Sequence, residues 1–197
     1  MSDKIKPIRA FIAIKLPDFI KNDLKDAQKT MLANGIKAKY ISPENMHLTL
    51  KFMGNIDYYL LPEIRDILTR SAQYAKPIRL SLKGIGAFPN SRSPKIIWAG
   101  INGETQKLAT LHTKLEQGLS NIGIPEEKRE FHGHLTLARI KRNRLSAQKF
   151  ERVIQQTRQF ESVKFTADRL ILFQSILMPE GPIYKELFFA KFGTKLE

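Results

Sequence analysis

The sequence contains no cysteine. That excludes disulfide bonds, a thiolate nucleophile and any zinc site built on sulfur, and it fits a reducing compartment. Long apolar runs are missing as well, since no stretch approaches the roughly eighteen apolar residues of a membrane-spanning helix. The N-terminal MSDKIKPIRAFIAIKLP has an apolar run too short for the core of a signal peptide, so a cytoplasmic protein is the expectation. Acidic residues are scarce: nineteen Asp and Glu stand against thirty-three Lys and Arg, a net charge of +14. Such a surplus captures polyanions through long-range attraction, so nucleic acid is the first candidate partner. An anionic membrane is the second, and a plainly solvated basic surface is the alternative to both. Histidine is rare too, at four residues in 197.

Two of those four occupy the same phrase. His47-Leu48-Thr49-Leu50 lies in ENMHLTLKF, and His134-Leu135-Thr136-Leu137 lies in EFHGHLTLAR. Hydrophobic periodicity places both phrases on strands. IRAFIAIKL reads as a buried strand ended by Pro17, and Asp18 opens a helix that closes at Gly35. AKYIS and MHLTLKFMG read as strands joined by the turn SPEN. DYYLLPEIRDILTRSAQYA reads as a helix. IRLSLKGIGAF and KIIWAGI read as strands around the loop PNSRSP, and GETQKLATLHTKLEQGLSNIG as an amphipathic helix. After HLTLARI come a short helix in SAQKFERVIQQTR and two or three strands, with the turn MPEGP before the last. Helices and strands alternate, yet strand pairs are joined by short turns. The pattern is therefore α+β, with an approximate internal duplication and two lobes within one domain over residues 1–197.

On a strand, side chains alternate between faces. His47 and Thr49 then share one face while Leu48 and Leu50 belong to a core. The same split sets His134 and Thr136 against Leu135 and Leu137. Two imidazoles and two hydroxyls brought together suit hydrolysis at phosphorus: one histidine takes a proton from the nucleophile and the other gives one to the leaving oxygen. Threonine hydroxyls can donate to non-bridging oxygens. Metal binding is the rival reading, and neither phrase has a third His, Asp or Glu beside it at ligand spacing. No GxSxG elbow supports a serine hydrolase.

These phrases resemble the paired His-x-Thr-x motifs of the 2H phosphoesterase superfamily. More narrowly, the chain is similar to bacterial and archaeal RNA 2′,3′-cyclic phosphodiesterases, also called 2′-5′ RNA ligases. The likeness runs through RAFIAIKLP, SPENMHLTLKFMGNI, GIGAFPNSRSPKIIWAGI, FHGHLTLARIKR and FQSILMPEGPIYKELFFAKF. It implies a bilobal fold of two largely antiparallel sheets related by a pseudo-twofold, helices outside, and a groove between the lobes. It implies chemistry that uses neither metal nor cofactor. Water would open an RNA 2′,3′-cyclic phosphate, on tRNA-derived ends among others, to leave a 2′-phosphomonoester; a 5′-hydroxyl joined to the cyclic phosphate at the same site would make a 2′-5′ bond. The family pattern makes His47 the proton donor, His134 the acceptor and Arg139 a phosphate ligand.

Strict alternation puts Arg139 on the leucine side of its strand, and only an irregularity near Ala138 would re-aim it. The same parity sets Lys51 beside His47 and Thr49, where it would neutralise a phosphate or serve as a solvated strand-end lysine. His132 has the parity to join His134, and the family often carries a histidine there; it also commonly has a proline where this chain has Gly133. Phe11 and Tyr184 are candidates for the nucleoside and phosphate sides of the groove, with core packing as the alternative. His112 reads as structural or solvent-facing, and Trp98 as packing. Arg92/Lys95 and Lys141/Arg142/Arg144 are candidate RNA-backbone contacts or solvated loop charge. A monomer is the default. Two other functions fit the same residues: a nucleotide- or RNA-binding module without catalysis, and an esterase for another cyclic phosphate or a 2′-5′ oligonucleotide.

Overall fold

The chain alternates short strands and helices because proline and glycine punctuate it. Strand β1 (Ile8–Lys15) stops before Pro17, whose fixed φ of −61° starts helix α1 (Asp18–Ala33). Gly35 ends that helix in the left-handed region at φ 75°, and the next amide, of Ile36, donates back to the Met31 carbonyl. The remaining elements are β2 (Lys39–Tyr40), β3 (His47–Ile56), α2 (Leu61–Gln73), β4 (Ile78–Phe88), β5 (Ile96–Gly103), α3 (Thr105–Ser120), β6 (His134–Arg139), α4 (Ala147–Gln156), β7 (Phe165–Ala167), β8 (Arg169–Met178) and β9 (Gly181–Lys191). The structure, a computed structural model, describes residues 6–140, 147–157 and 160–193. The basic cluster Lys141, Arg142 and Arg144 lies outside the described residues. No helix among them is long and apolar enough to cross a membrane.

Two antiparallel sheets result, in the orders β3-β1-β8-β9 and β2-β6-β5-β4-β7. Helices α2 and α3 pack on each other, with α2 against β8 and β9, while α1 lies against β6. The α+β reading holds, and one connected apolar core runs through both sheets, including Leu48, Leu50, Leu135 and Leu137.

Pairing between distant segments departs from the sequence expectation at β2. AKYIS and MHLTLKFMG do not form a hairpin. The residues between them make a 3-10 turn at Pro43–Asn45, and β2 pairs with β6 while β3 pairs with β1. Buried Gln28 of α1 explains the choice: its amide donates to the carbonyls of Ile41 (2.7 Å) and Leu137 (2.9 Å), pinning the β2 segment to the second sheet. Strands β7 and β8 are almost continuous in sequence, yet β7 joins β4 and β8 joins β1.

Candidate active site

Each histidine opens a strand, and each strand carries a bulge at the same place. In β3, Ile12 of β1 faces Lys51 while the next residue, Ala13, faces Thr49, so Leu50 is the extra residue. In β6, Ile97 of β5 faces Ala138 while Trp98 faces Thr136, so Leu137 is the extra residue. Both are the fourth residue of the HLTL phrase. Residues directly opposite one another in a ladder share a face. Before each bulge the expected parity holds: the leucines are buried, and His47, Thr49, His134 and Thr136 lie on the other face. After each bulge it inverts.

The inversion changes the assignment of Lys51 and supplies the irregularity near Ala138 that the expected role of Arg139 needs. Lys51, opposite the core residue Ile12, turns to the core face with 5% exposure instead of standing beside His47. There its ammonium donates to Glu116 Oε2 and to the Pro125 carbonyl, both at 2.6 Å, so it is not an open phosphate ligand. Arg139, opposite Ile96, turns to the face of His134 and Thr136 and is exposed. Phe52 is its counterpart on β3, opposite Phe11 and 51% exposed, with the Arg9 guanidinium 4.6 Å from its ring centroid.

Aromatic rings floor each histidine. Phe11 stacks on His47 at 4.6 Å, and Tyr184 meets it edge-on at 5.1 Å. Phe11, Ala13, Ile171 and Phe173 form a small apolar cluster there, apart from the main core. Burial pushes the His47 pKa down to about 4, and a hydrogen bond to the Asn45 backbone only partly opposes that. His134 packs edge-on against Phe88 at 5.0 Å and lies 6.4 Å from Trp98. Its Nδ1 is 2.7 Å from the carbonyl oxygen of His132. A carbonyl only accepts, so Nδ1 carries the proton and Nε2 of the neutral ring keeps a free lone pair. Each ring therefore bonds the backbone two residues upstream of itself.

A cavity of about 860 Å³ opens over this face, lined by Thr49, Phe52, His134, Thr136 and Arg139 among others. His132 and Lys95 also line it; the His132 ring is exposed, with Nε2 3.7 Å from Glu130 Oε2. His47 and Tyr184 are not among its lining residues, and His47 precedes Thr49 on the same face of β3. Tyr184 is half-buried; burial raises its pKa, while Arg139 and Arg9 pull it down, so Arg139 and the His47 floor are within electrostatic reach of each other. Gly133 lies close to the core, since a Cβ there would be 3.3 Å from Leu108. His112 is buried and stacks on Phe131 at 4.2 Å, as a structural residue would. Trp98 packs over Gly86, and Arg92 is exposed in the β4–β5 loop. Among the described residues no three His, Asp or Glu side chains gather as a metal-binding group. Sequence reasoning missed Phe52, Phe88 and Phe173. The available signal was equivalence of position, because Phe52 follows His47 by the same five residues that separate Arg139 from His134.

The family model of the 2′-5′ RNA ligase superfamily matches residues 18–176. The chain belongs to that superfamily. An RNA 2′,3′-cyclic phosphodiesterase of Thermotoga maritima is 32% identical over 185 residues, covering 94% of this chain and 96% of its own. One of Methanocaldococcus jannaschii is 35% identical over 178 residues, covering 90% and 97%. Among solved structures, the protein TT0787 of Thermus thermophilus superposes with a TM-score of 0.79 at 27% identity, covering 96% of this chain and all of its own. The family match spans both bulged strands.

Proposed function

We infer that this member of the superfamily is an RNA 2′,3′-cyclic phosphodiesterase that leaves a 2′-phosphomonoester. The observation that carries the reading is the paired His/Thr face, with His134 Nε2 left open by the bond from its Nδ1 to the His132 carbonyl. Nε2 takes a proton from water as the water oxygen bonds to phosphorus, and the bond from phosphorus to O3′ breaks. His47 gives its proton to the departing O3′, and the 2′-ester oxygen stays on phosphorus. Thr49 and Thr136 donate to the non-bridging oxygens, and Arg139 offsets the charge that builds up on them.

His47 is neutral at pH 7 in the free protein, with a pKa near 4. An acid role requires the bound phosphate to restore its proton, and an anion beside a buried imidazole does so by favouring the charged form. The same steps with a ribose 5′-hydroxyl in place of water form a 2′-5′ bond, since the hydroxyl oxygen bonds to phosphorus as the bond to O3′ breaks.

The test is hydrolysis of an RNA ending in a 2′,3′-cyclic phosphate, with EDTA present and the product assigned by phosphorus NMR. The expected product is the 2′-phosphomonoester, and His47→Ala and His134→Ala should each lower kcat by about 10²- to 10⁴-fold. A 3′-phosphomonoester, loss of turnover on chelation, or full turnover in either variant overturns the reading. Tight nucleotide binding with no turnover would leave a binding module instead.

A further inference from the structure

The segment from Pro125 to Gly133 brings the chain from α3 to His134 and has no helix or strand of its own. Its last carbonyl before Gly133, that of His132, sets the tautomer of His134. Something must hold that segment, and among the described residues the buried ionisable side chains, Lys51, His112 and Glu116, are gathered against it. Glu116 of α3 is 7% exposed, and its Oε2 accepts from the Glu127 amide at 2.9 Å as well as from Lys51. Lys51 donates in turn to the Pro125 carbonyl. One turn back on α3, His112 has Nε2 3.4 Å from Glu116 Oε1 and its ring stacked on Phe131, the residue before His132. The segment is thus gripped at Pro125, Glu127 and Phe131.

Lys51 itself belongs to the strand that opens with His47. A buried ion pair is a costly way to fill a core, and apolar residues of similar size commonly do as well for stability. We propose that the Lys51–Glu116 pair is a positioning device: it ties the segment that orients His134 to the strand that carries His47, and so holds the two histidines in register across the groove. Both border the cavity, yet both are buried and their charges are turned on each other. Lys51 and Glu116 act through the His132 carbonyl and the β3 backbone, and loosening them misplaces a proton-transfer group without removing it. This rests on the phosphodiesterase reading for its kinetic consequence but not for its structural one.

The decisive variant is the double substitution Lys51→Met with Glu116→Leu, which removes both charges together and leaves none buried alone. The expected result is a folded protein with a melting temperature near or above wild type. Its kcat should fall about tenfold or more and KM stay within about twofold, because positioning acts on the reacting geometry more than on binding. Imidazole ¹⁵N NMR gives a readout independent of turnover: His134 should lose its bias toward the Nδ1–H tautomer. A double variant with wild-type kcat and an unchanged His134 tautomer overturns the proposal. So does a variant whose activity falls only in proportion to its folded fraction, which is what a structural role predicts. If the wild type opens no cyclic phosphate, the function falls, and the ¹⁵N readout still decides the positioning role.

Discussion

The ring of Phe11 lies over that of His47, the centroids 4.6 Å apart and the planes 27° apart. That cover, with Phe173 and Tyr184 beside it, keeps water from the imidazole and favours its neutral form. A folded pKa of about 4 against 6.5 in the unfolded chain means the unfolded state holds more protons between those values. Stability from this group is therefore complete above pH 6.5 and is lost as the pH falls toward 4. The shift corresponds to at most about 3 kcal/mol. His47→Asn should flatten the dependence of denaturant stability on pH in that window, and Phe11→Ala should bring the NMR-titrated His47 pKa back toward its ordinary value. An unchanged pKa in Phe11→Ala would show that the cover is not its cause.

A bound phosphate should act on the same ring in the opposite direction. Saturation with 2′-AMP is expected to raise the His47 pKa, read by NMR titration with and without the nucleotide. A nucleotide that binds and leaves the pKa near 4 would remove His47 from the acid role.

Arg139 owes its place to the bulge at Leu137 and is exposed, so it contributes little to folding. Arg139→Ala should lower kcat by about 10²-fold, in the range of lost charge stabilisation elsewhere, while the melting temperature stays put. Arg139→Lys should recover part of the loss, since a lysine keeps the charge without the planar fork. Equal kcat in Arg139→Ala and wild type would return Arg139 to ordinary surface charge.

Gly86 makes room for the indole of Trp98. A Cβ at residue 86 would fall 2.3 Å from the ring, so Gly86→Ala must displace Trp98. The expected cost is about 1–3 kcal/mol in chemical denaturation, with a matching loss of activity because Trp98 and Phe88 floor His134. Gly35→Ala offers a contrast: its strain is local to the end of α1, and activity per folded molecule should hold.

The first sheet takes β1 and β3 from one end of the chain and β8 and β9 from the other, with the second sheet built largely between them. We propose that residues 1–197 unfold as one unit, seen in calorimetry as a single transition whose calorimetric and van't Hoff enthalpies agree. Two resolved transitions would divide the lobes.

Most of the site was readable where the period of two runs unbroken. His47, Thr49, His134 and Thr136 fall on the open face because Leu48, Leu50, Leu135 and Leu137 need the core, and that argument is local. It fails one residue later. No glycine or proline marks either bulge, because the extra residue in each is a leucine that still finds the core. Lys51 and Arg139 were therefore set on the wrong sides by alternation. Pairing partners were legible for the hairpins β4–β5 and β8–β9, where a short loop decides, but not for β2, where the decision falls to Gln28 from a helix earlier in the chain. The Glu116 network escaped for a related reason: its members come from α3, β3 and a loop, with no shared period to announce them.

The matched bulges at Leu50 and Leu137 also separate what the duplication shares from what it does not. Up to the fourth residue of each phrase the two strands are interchangeable, and a phosphate between them would meet the same groups from either side. Five residues after each histidine the symmetry stops, with a benzyl ring at Phe52 and a guanidinium at Arg139. A substrate entering this groove would meet a benzyl ring covered by the Arg9 guanidinium on one bank and the exposed guanidinium of Arg139 on the other. We propose that which ester oxygen leaves follows from how the nucleotide lies between those banks, since the His-x-Thr pairs beneath them match.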